Sequence, residues 1–322
     1  MPVLDVPPPA FMQDPEIQMF ADAASRFFER AAPPERIAGW RDAGQVERVF
    51  WRETGAAGYL AVMVPEEYGG PGAGFDLQAI RTTARRDGDG YRISGSKTFI
   101  SNGQIADFIV VVAKTDPALG SRGVSLLIVE TDQVQGFRRG RKLDKIGLDA
   151  QDTSELFFDD VWVPAENLLG TQEGKGFAQL MAELPRERLL IAIGAVITME
   201  KALETTIEYV KNRKAFGQRV MDFQNTQFKL ADAKAKATVA KVFINDCIER
   251  LLKGSLDATT AAIAKMWATE TEWQIVDDCL QLHGGYGYVN DFPIARIFRD
   301  SRIARIYGGS TEIMKVIIAR SL

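Results

Sequence analysis

The strongest constraint on the fold lies in the second half of the chain. From about residue 172 the pattern is helical to the end. FAQLMAEL is followed by RLLIAIGAVITMEKALETTIEYVKNRK, FQNTQFKLADAKAKATVAKVFINDCIERLLK and LDATTAAIAKMWATETEWQIVDDCLQL. Each is long and amphipathic, and the connections are short. Such helices bury their apolar stripes by packing antiparallel, so residues 169–322 are expected to form an antiparallel four-helix bundle.

The preceding zone changes period. DGDG at 87–90 separates IRTTARR from YRISGSKTFIS, a hairpin signature. DFIVVVAKT, GVSLLIVET and ELFFDDVWV follow, rich in β-branched residues and parted by Gly, Asp and Pro. Residues 76–168 therefore read as a small antiparallel β-barrel or sandwich. Residues 1–75 read as a shortened helical domain. Asp14 and Pro15 supply an N-cap and first-turn pair, and Ile17, Phe20, Ala24, Phe27 and Phe28 recur at helical spacing. The fold class is α+β with several domains: helices, sheet, then helix bundle.

Composition removes several function classes. The net charge is −4 and the cations are dispersed, which gives nucleic acid no footprint. A single histidine, His283, leaves no room for a His-based triad or a multi-His metal site. Cys247 and Cys279 lack metal-ligand spacing and read as reduced, buried thiols. The longest uncharged apolar run, Leu189–Met199, is too short to span a bilayer. MPVLDVPPPAFMQD has no basic region or apolar signal core, so it reads as a disordered lead in a cytoplasmic, bacterial-type protein.

Three stretches carry candidate chemistry. In ELPRERLLIA (183–192), Glu187 follows Pro185 near a helix start, with Leu190, Ile191 and Gly194 on its face. A carboxylate against an apolar surface is costly to ionise and suits a general base; alternatively it pairs with Arg186 or Arg188 in solvent. In KNRKAFGQRV (211–220), Arg213 either complements a helix C-terminus or forks onto phosphate. QLHGGYGY (281–288) and RIYGGSTEIMK (305–315) place glycines where backbone amides can approach a ligand, or where a tight turn docks a helix.

Taken in order, KTFISNG, AQDTSELFFDDVWVP, RKAFG, FQ..Q..LAD, QLHGGYGY and IYGGSTEI resemble the acyl-CoA dehydrogenase family, and the resemblance runs from about residue 14 to 322. ELPRERLLIA together with IYGGSTEIMK is most similar to the long-chain and isovaleryl-type branch. The resemblance implies an FAD enzyme that converts an acyl-CoA thioester to the trans-2-enoyl-CoA and passes electrons to an electron-transferring flavoprotein. Most relatives carry the base in the motif that here reads IYGG; with Gly308 in that place, the resemblance implies Glu187 as base and the Gly308 amide as donor to the thioester carbonyl. It further implies Phe99 and Ser101 at the flavin ring, and Arg213 and Phe216 at its pyrophosphate and adenosine part in a homodimer or homotetramer. Gln281, Gly284 and Gly285 belong to that dinucleotide site, Ser310 and Glu312 lie near FAD, and Arg188 and Tyr307 face the acyl-CoA. Ala215 stands where some relatives have Thr.

One departure is large. EEYGG at 66–70 runs straight into PGAGFD, as if the helices and first strand between two motifs had been excised near residues 70–75, and Phe75 replaces a serine. Two other classes stay open on that account: a non-catalytic FAD-binding or structural paralogue, and a flavin oxidase or monooxygenase on the same fold.

Overall fold

The computed structural model describes residues 3–57, 59–60 and 80–322. The merged EEYGG–PGAGFD stretch, Phe75 and the expected boundary at 75/76 lie outside them. The chain divides into two compact units, one of residues 19–182 and one of 1–18 with 183–322.

The first unit holds helices α1 (Pro15–Ala31, shared with the second unit), α2 (Pro34–Ala43) and α3 (Arg48–Ala56). Pro34 opens α2, where its missing N–H is no loss, and Gly44 closes it at φ +66°. Phe27, Ala31, Trp40 and Phe50 form the small core between these helices. Arg36 ties them at the surface, with Nε on Glu47 at 2.5 Å and Nη1 on Glu53 at 3.0 Å.

Six strands follow: β1 (Thr83–Asp87), β2 (Gly90–Ser101), β3 (Phe108–Lys114), β4 (Val124–Glu130), β5 (Phe137–Lys142) and β6 (Thr153–Pro164). The expected hairpin is present, with Asp87 paired to Gly90 and Gly88 in the turn at φ +60°. The sheet order is β4-β3-β1-β2-β6-β5. The expected antiparallel barrel or sandwich is corrected to one open, mixed sheet among the described residues. β1 runs parallel to β3 through Thr83 and Lys114, and the remaining pairs are antiparallel. Side-chain alternation sets which face each strand buries, but it does not fix which strands become neighbours. Tyr91, Ile93, Val111, Leu127, Leu156 and Val161 fill one face. Phe177 and Leu180, from the first turns of α4 (Gly176–Asn212), cover Val112, Val124 and Leu126.

The second unit is helical. α4, α5 (Gln224–Leu252) and α6 (Ala258–Leu282) share a core rich in alanine, including Ala192, Ala195, Ala237, Ala240, Ala264 and Ala268. Small residues at the seams let helix axes approach closely. In place of a fourth long helix, the short α7 (Pro293–Ser301) and α8 (Thr311–Ala319) pack on α6, burying Ile294 and Met314. α6 starts on Asp257, whose carboxylate accepts from the amides of Thr259 and Thr260. The N-terminal lead, expected to be disordered, instead inserts Leu4 fully into this core, with Val3 and Val6 beside it. Three aliphatic side chains among the prolines give it enough apolar surface to dock. Among the described residues no helix is long and apolar enough to cross a membrane.

Candidate active site

Glu187 lies well inside α4, because the helix runs unbroken through Pro185 rather than starting after it. The half-buried carboxyl makes no hydrogen bond or ion pair among the described residues. Arg186 turns instead to Glu183, at 2.7 Å. Arg188 is 6% exposed, and among the described residues its Nε has no hydrogen-bond partner. The alternative in which Glu187 is neutralised by a neighbouring arginine is therefore absent here. Burial raises the Glu187 pKa, reinforced by the charge of Glu183 and opposed by Arg186 and Arg188. The Arg188 pKa is lowered, chiefly by burial.

The glycine turn faces the same helix. Gly308 and Gly309 sit at φ +65° and +95°, in the region that only glycine occupies freely. A Cβ at Gly308 would run into Ile191 Cδ1, one helical turn beyond Glu187. Glu187, the carboxylate read as a general base, thus lies on the helix whose Ile191 meets the Gly308 backbone. Gly194, two turns along, opens onto free space, and Leu190 beside it is 60% exposed. Tyr307, preceding the glycines, is partly buried, and its pKa is raised by burial and then by Glu272. Ser310 is the N-cap residue of α8. Glu312 in its first turn is exposed, with its pKa lowered by its own backbone amide and the Ser310 hydroxyl.

Three charged residues of α6 belong to this region and were not singled out from the sequence. Lys265 is fully buried and donates to the Gly309 carbonyl at 2.8 Å. Its pKa is lowered to about 8 by burial, with Glu270 opposing and Arg188 adding to the shift. Glu270 accepts from Arg305 Nε at 2.8 Å and from the Thr311 hydroxyl at 2.7 Å. Glu272 is 3% exposed, and one of its carboxyl oxygens has no hydrogen-bond partner among the described residues. The available signal was a lysine and two glutamates on the alanine-rich stripe of AAIAKMWATETEW.

Burial pushes the Glu272 pKa up to about 8, with the Thr198 side chain opposing. The folded state thus holds a proton that the unfolded chain releases near its ordinary value of 4.5. That contribution to stability is complete below about 4.5 and is lost as pH rises through about 8. Glu272→Gln has no proton to lose. Its stability relative to the native chain should therefore improve from pH 5 to pH 9 by about 4 kcal/mol. Urea denaturation of both proteins at the two pH values measures this; a difference that does not change with pH rejects a protonated Glu272.

Arg213 follows the last residue of α4, and its guanidinium lies 5.5 Å from the centre of the Tyr286 ring. With Tyr209, His283, Gly284, Gly285 and Tyr286 it lines an open hollow of about 450 Å3. Gly284 has φ +58°, and a Cβ at either glycine would meet nothing within 4 Å. A cation with no acidic partner among the described residues, set beside two accessible glycine backbones, fits the phosphates of a dinucleotide. Gln281 is exposed on the last turn of α6, outside the residues that line the hollow. Phe216 is 96% exposed, at φ +50° in the turn between two short strands. Arg213→Lys keeps the charge but removes the planar fork, so binding of a dinucleotide in this hollow should weaken on the order of tenfold. Flavin content after dialysis reads this, and equal content would return Arg213 to a helix-end role.

In the other unit, Phe99 and Ser101 end β2. Pairing with β6 shifts register between Lys97 and Ile100, and Phe99 is held at φ +63° with its ring 65% exposed. Left-handed backbone under a phenylalanine costs about 1–2 kcal/mol, which makes this bulge a local specialisation of the strand end.

Residues 14–101, 68–161 and 174–322 match the N-terminal, middle and C-terminal domain models of acyl-CoA dehydrogenase. The first two ranges overlap across the stretch in which the motifs run together. The mitochondrial long-chain specific acyl-CoA dehydrogenase of Sus scrofa is 38% identical over 374 residues, covering 95% of this chain and 86% of that protein. That aligned length exceeds the 322 residues of this chain, so the relative has a segment with no counterpart here. Among solved structures, the acyl-CoA dehydrogenase from Geobacillus kaustophilus matches with a TM-score of 0.89 and 40% identity, covering 95% of this chain and 98% of that one. A chain in a structure described as the electron transferring flavoprotein of Acidaminococcus fermentans has a TM-score of 0.86 and 31% identity, with 94% and 97% covered. The fold and these similarities define a flavoprotein oxidoreductase. The chain belongs to the acyl-CoA dehydrogenase family.

Proposed function

We propose that this protein binds FAD and oxidises an acyl-CoA thioester to the trans-2-enoyl-CoA, with Glu187 as the base. The observation that carries this reading is a half-buried carboxyl with a raised pKa and no hydrogen bond or ion pair among the described residues, on the helix that touches Gly308. Glu187 takes the α-proton onto a carboxylate oxygen. The Gly308 N–H donates to the thioester carbonyl as charge develops on its oxygen, which lowers the barrier to proton removal. A bound FAD would supply the hydride acceptor for the β-hydrogen, so that loss of the α-proton to Glu187 is matched by formation of the carbon–carbon double bond. The open space at Gly194 and the apolar Leu190 beside it suit an acyl chain, with Arg188 and Tyr307 on the acyl-CoA side.

For FAD, Arg213, Gly284 and Gly285 supply the phosphate cradle, with Phe216 and Gln281 at the adenosine part. Phe99 and Ser101 serve the flavin ring, while Ser310 and Glu312 contribute from α8. The extreme exposure of Phe216 supports a homodimer or homotetramer in which it meets a second copy's cofactor. An electron-transferring flavoprotein as acceptor, a cytoplasmic location and a division at 1–75, 76–168 and 169–322 complete the proposal.

Anaerobic mixing of the purified holoprotein with acyl-CoAs of graded chain length tests it. Bleaching of the flavin absorbance by at least one of them is expected. A yellow protein that none of them bleaches would instead indicate a non-catalytic paralogue, a reading favoured by the segment that the chain lacks relative to the Sus scrofa enzyme.

A further inference from the structure

We infer that Lys265 and Glu270 are positioning residues, which grip the glycine turn from α6 and fix the direction of the Gly308 amide. The inference rests on the role proposed above for that amide.

The turn needs such a grip. Two successive glycines at positive φ give the backbone between Arg305 and Thr311 wide freedom, so its amides would otherwise sample many directions. α6 holds it at three points. Glu270 binds Arg305 on the entry side, by Oε1 to Nε at 2.8 Å and by Oε2 to Nη2 at 2.7 Å. The same Oε1 binds the Thr311 hydroxyl on the exit side at 2.7 Å. Between them, Lys265 Nζ donates to the carbonyl of Gly309. Lys265 and Glu270 lie five residues apart on α6, a rigid element packed on both sides. A fully buried ammonium is an expensive way to fill core volume, and a leucine or methionine would do so without desolvating a charge. Its one hydrogen-bond partner among the described residues is the turn. The charged groups acting on it are Glu270 and Glu312, which favour the cation, and Arg188 and Arg305, which oppose it.

The test compares native holoprotein with Lys265→Met and Glu270→Gln by amide hydrogen exchange over 305–311 and by steady-state kinetics. In Lys265→Met the turn amides should exchange at least about tenfold faster, while amides in the middle of α5 stay unchanged. kcat should fall about ten- to a hundredfold with KM within about threefold, because the amide matters most when charge develops on the carbonyl oxygen. In the native protein kcat should also decline as pH rises through about 8. Lys265→Met should lack that limb. Unchanged exchange in a folded Lys265→Met overturns the clamp, and faster exchange with native kcat overturns its positioning role. Should Lys265→Met not fold, Glu270→Gln carries the same two readouts. If no acyl-CoA reduces even the native protein, the proposed activity falls, yet the exchange measurement still decides whether α6 fixes the turn.

Discussion

Glu187→Gln is expected to leave FAD and acyl-CoA bound while flavin reduction slows by about two to four decades, the usual worth of a positioned base. Glutamine keeps the side-chain shape and removes the proton acceptor. The structure sharpens the expectation, because among the described residues no group hydrogen-bonds to this carboxylate; the buried Arg188 feels only its charge. Arg186 is engaged by Glu183, and Glu187 itself makes no hydrogen bond or ion pair among the described residues. Stability should therefore change little, or rise slightly at neutral pH, since a half-buried charge is removed. Its pKa is raised by burial, so the rate should climb with pH as the carboxyl ionises, along a limb above the ordinary carboxylate range. The variant should lose that limb together with the rate. Rapid-mixing absorbance measurements across pH read both effects, and native reduction rates in Glu187→Gln would reject it as the base.

The helices and the hairpin could be read from the sequence because their signals are local. Period, capping residues and the DGDG turn each act within a few positions. What escaped was non-local. The parallel contact of β1 with β3 depends on which strand edges meet after the hairpin has formed, and no alternation pattern records that choice. Pro185 was read as opening a helix, since it removes a backbone donor at a cost of about 3 kcal/mol. α4 continues through it because burial on either side outweighs the local penalty: Leu180 lies in one unit's core and Leu189 in the other's.

The candidate site divides the same way. Glu187, Arg213 and the glycines of 284–285 and 308–309 are legible as motif residues, because each belongs to a short local pattern. Lys265 and Glu272 act through burial, and Glu270 through its bonds to Arg305 and Thr311; a single sequence shows all three only as charges at helical spacing among alanines. The partners of Lys265 and Glu270 in the turn lie more than thirty residues away in the chain.

A carboxylate returned to position 308 should not rescue Glu187→Gln unless Ile191 is also cut back. Most relatives in this family were read as carrying their base at that motif position, so Gly308→Glu is the natural complement. Two features of this chain oppose it. The backbone there is at φ +65°, where a side chain costs about 1–2 kcal/mol. The new Cβ would also meet Ile191 Cδ1, the flexible end of a side chain that must swing away. An off-rotamer isoleucine costs roughly 1 kcal/mol more, and it would press the new carboxylate out of line. The double variant Glu187→Gln/Gly308→Glu should therefore reduce flavin within about threefold of Glu187→Gln alone, because a base misplaced by about 1 Å loses most of its effect. Adding Ile191→Ala clears the contact and should raise the rate by about ten- to a hundredfold over the double variant. Ile191→Ala in the native background controls for the cavity it leaves and should change the rate far less. Full rescue by Gly308→Glu with Ile191 intact would show that the turn can yield without help. No gain in the triple variant would mean that a carboxylate at 308 does not reach the α-carbon.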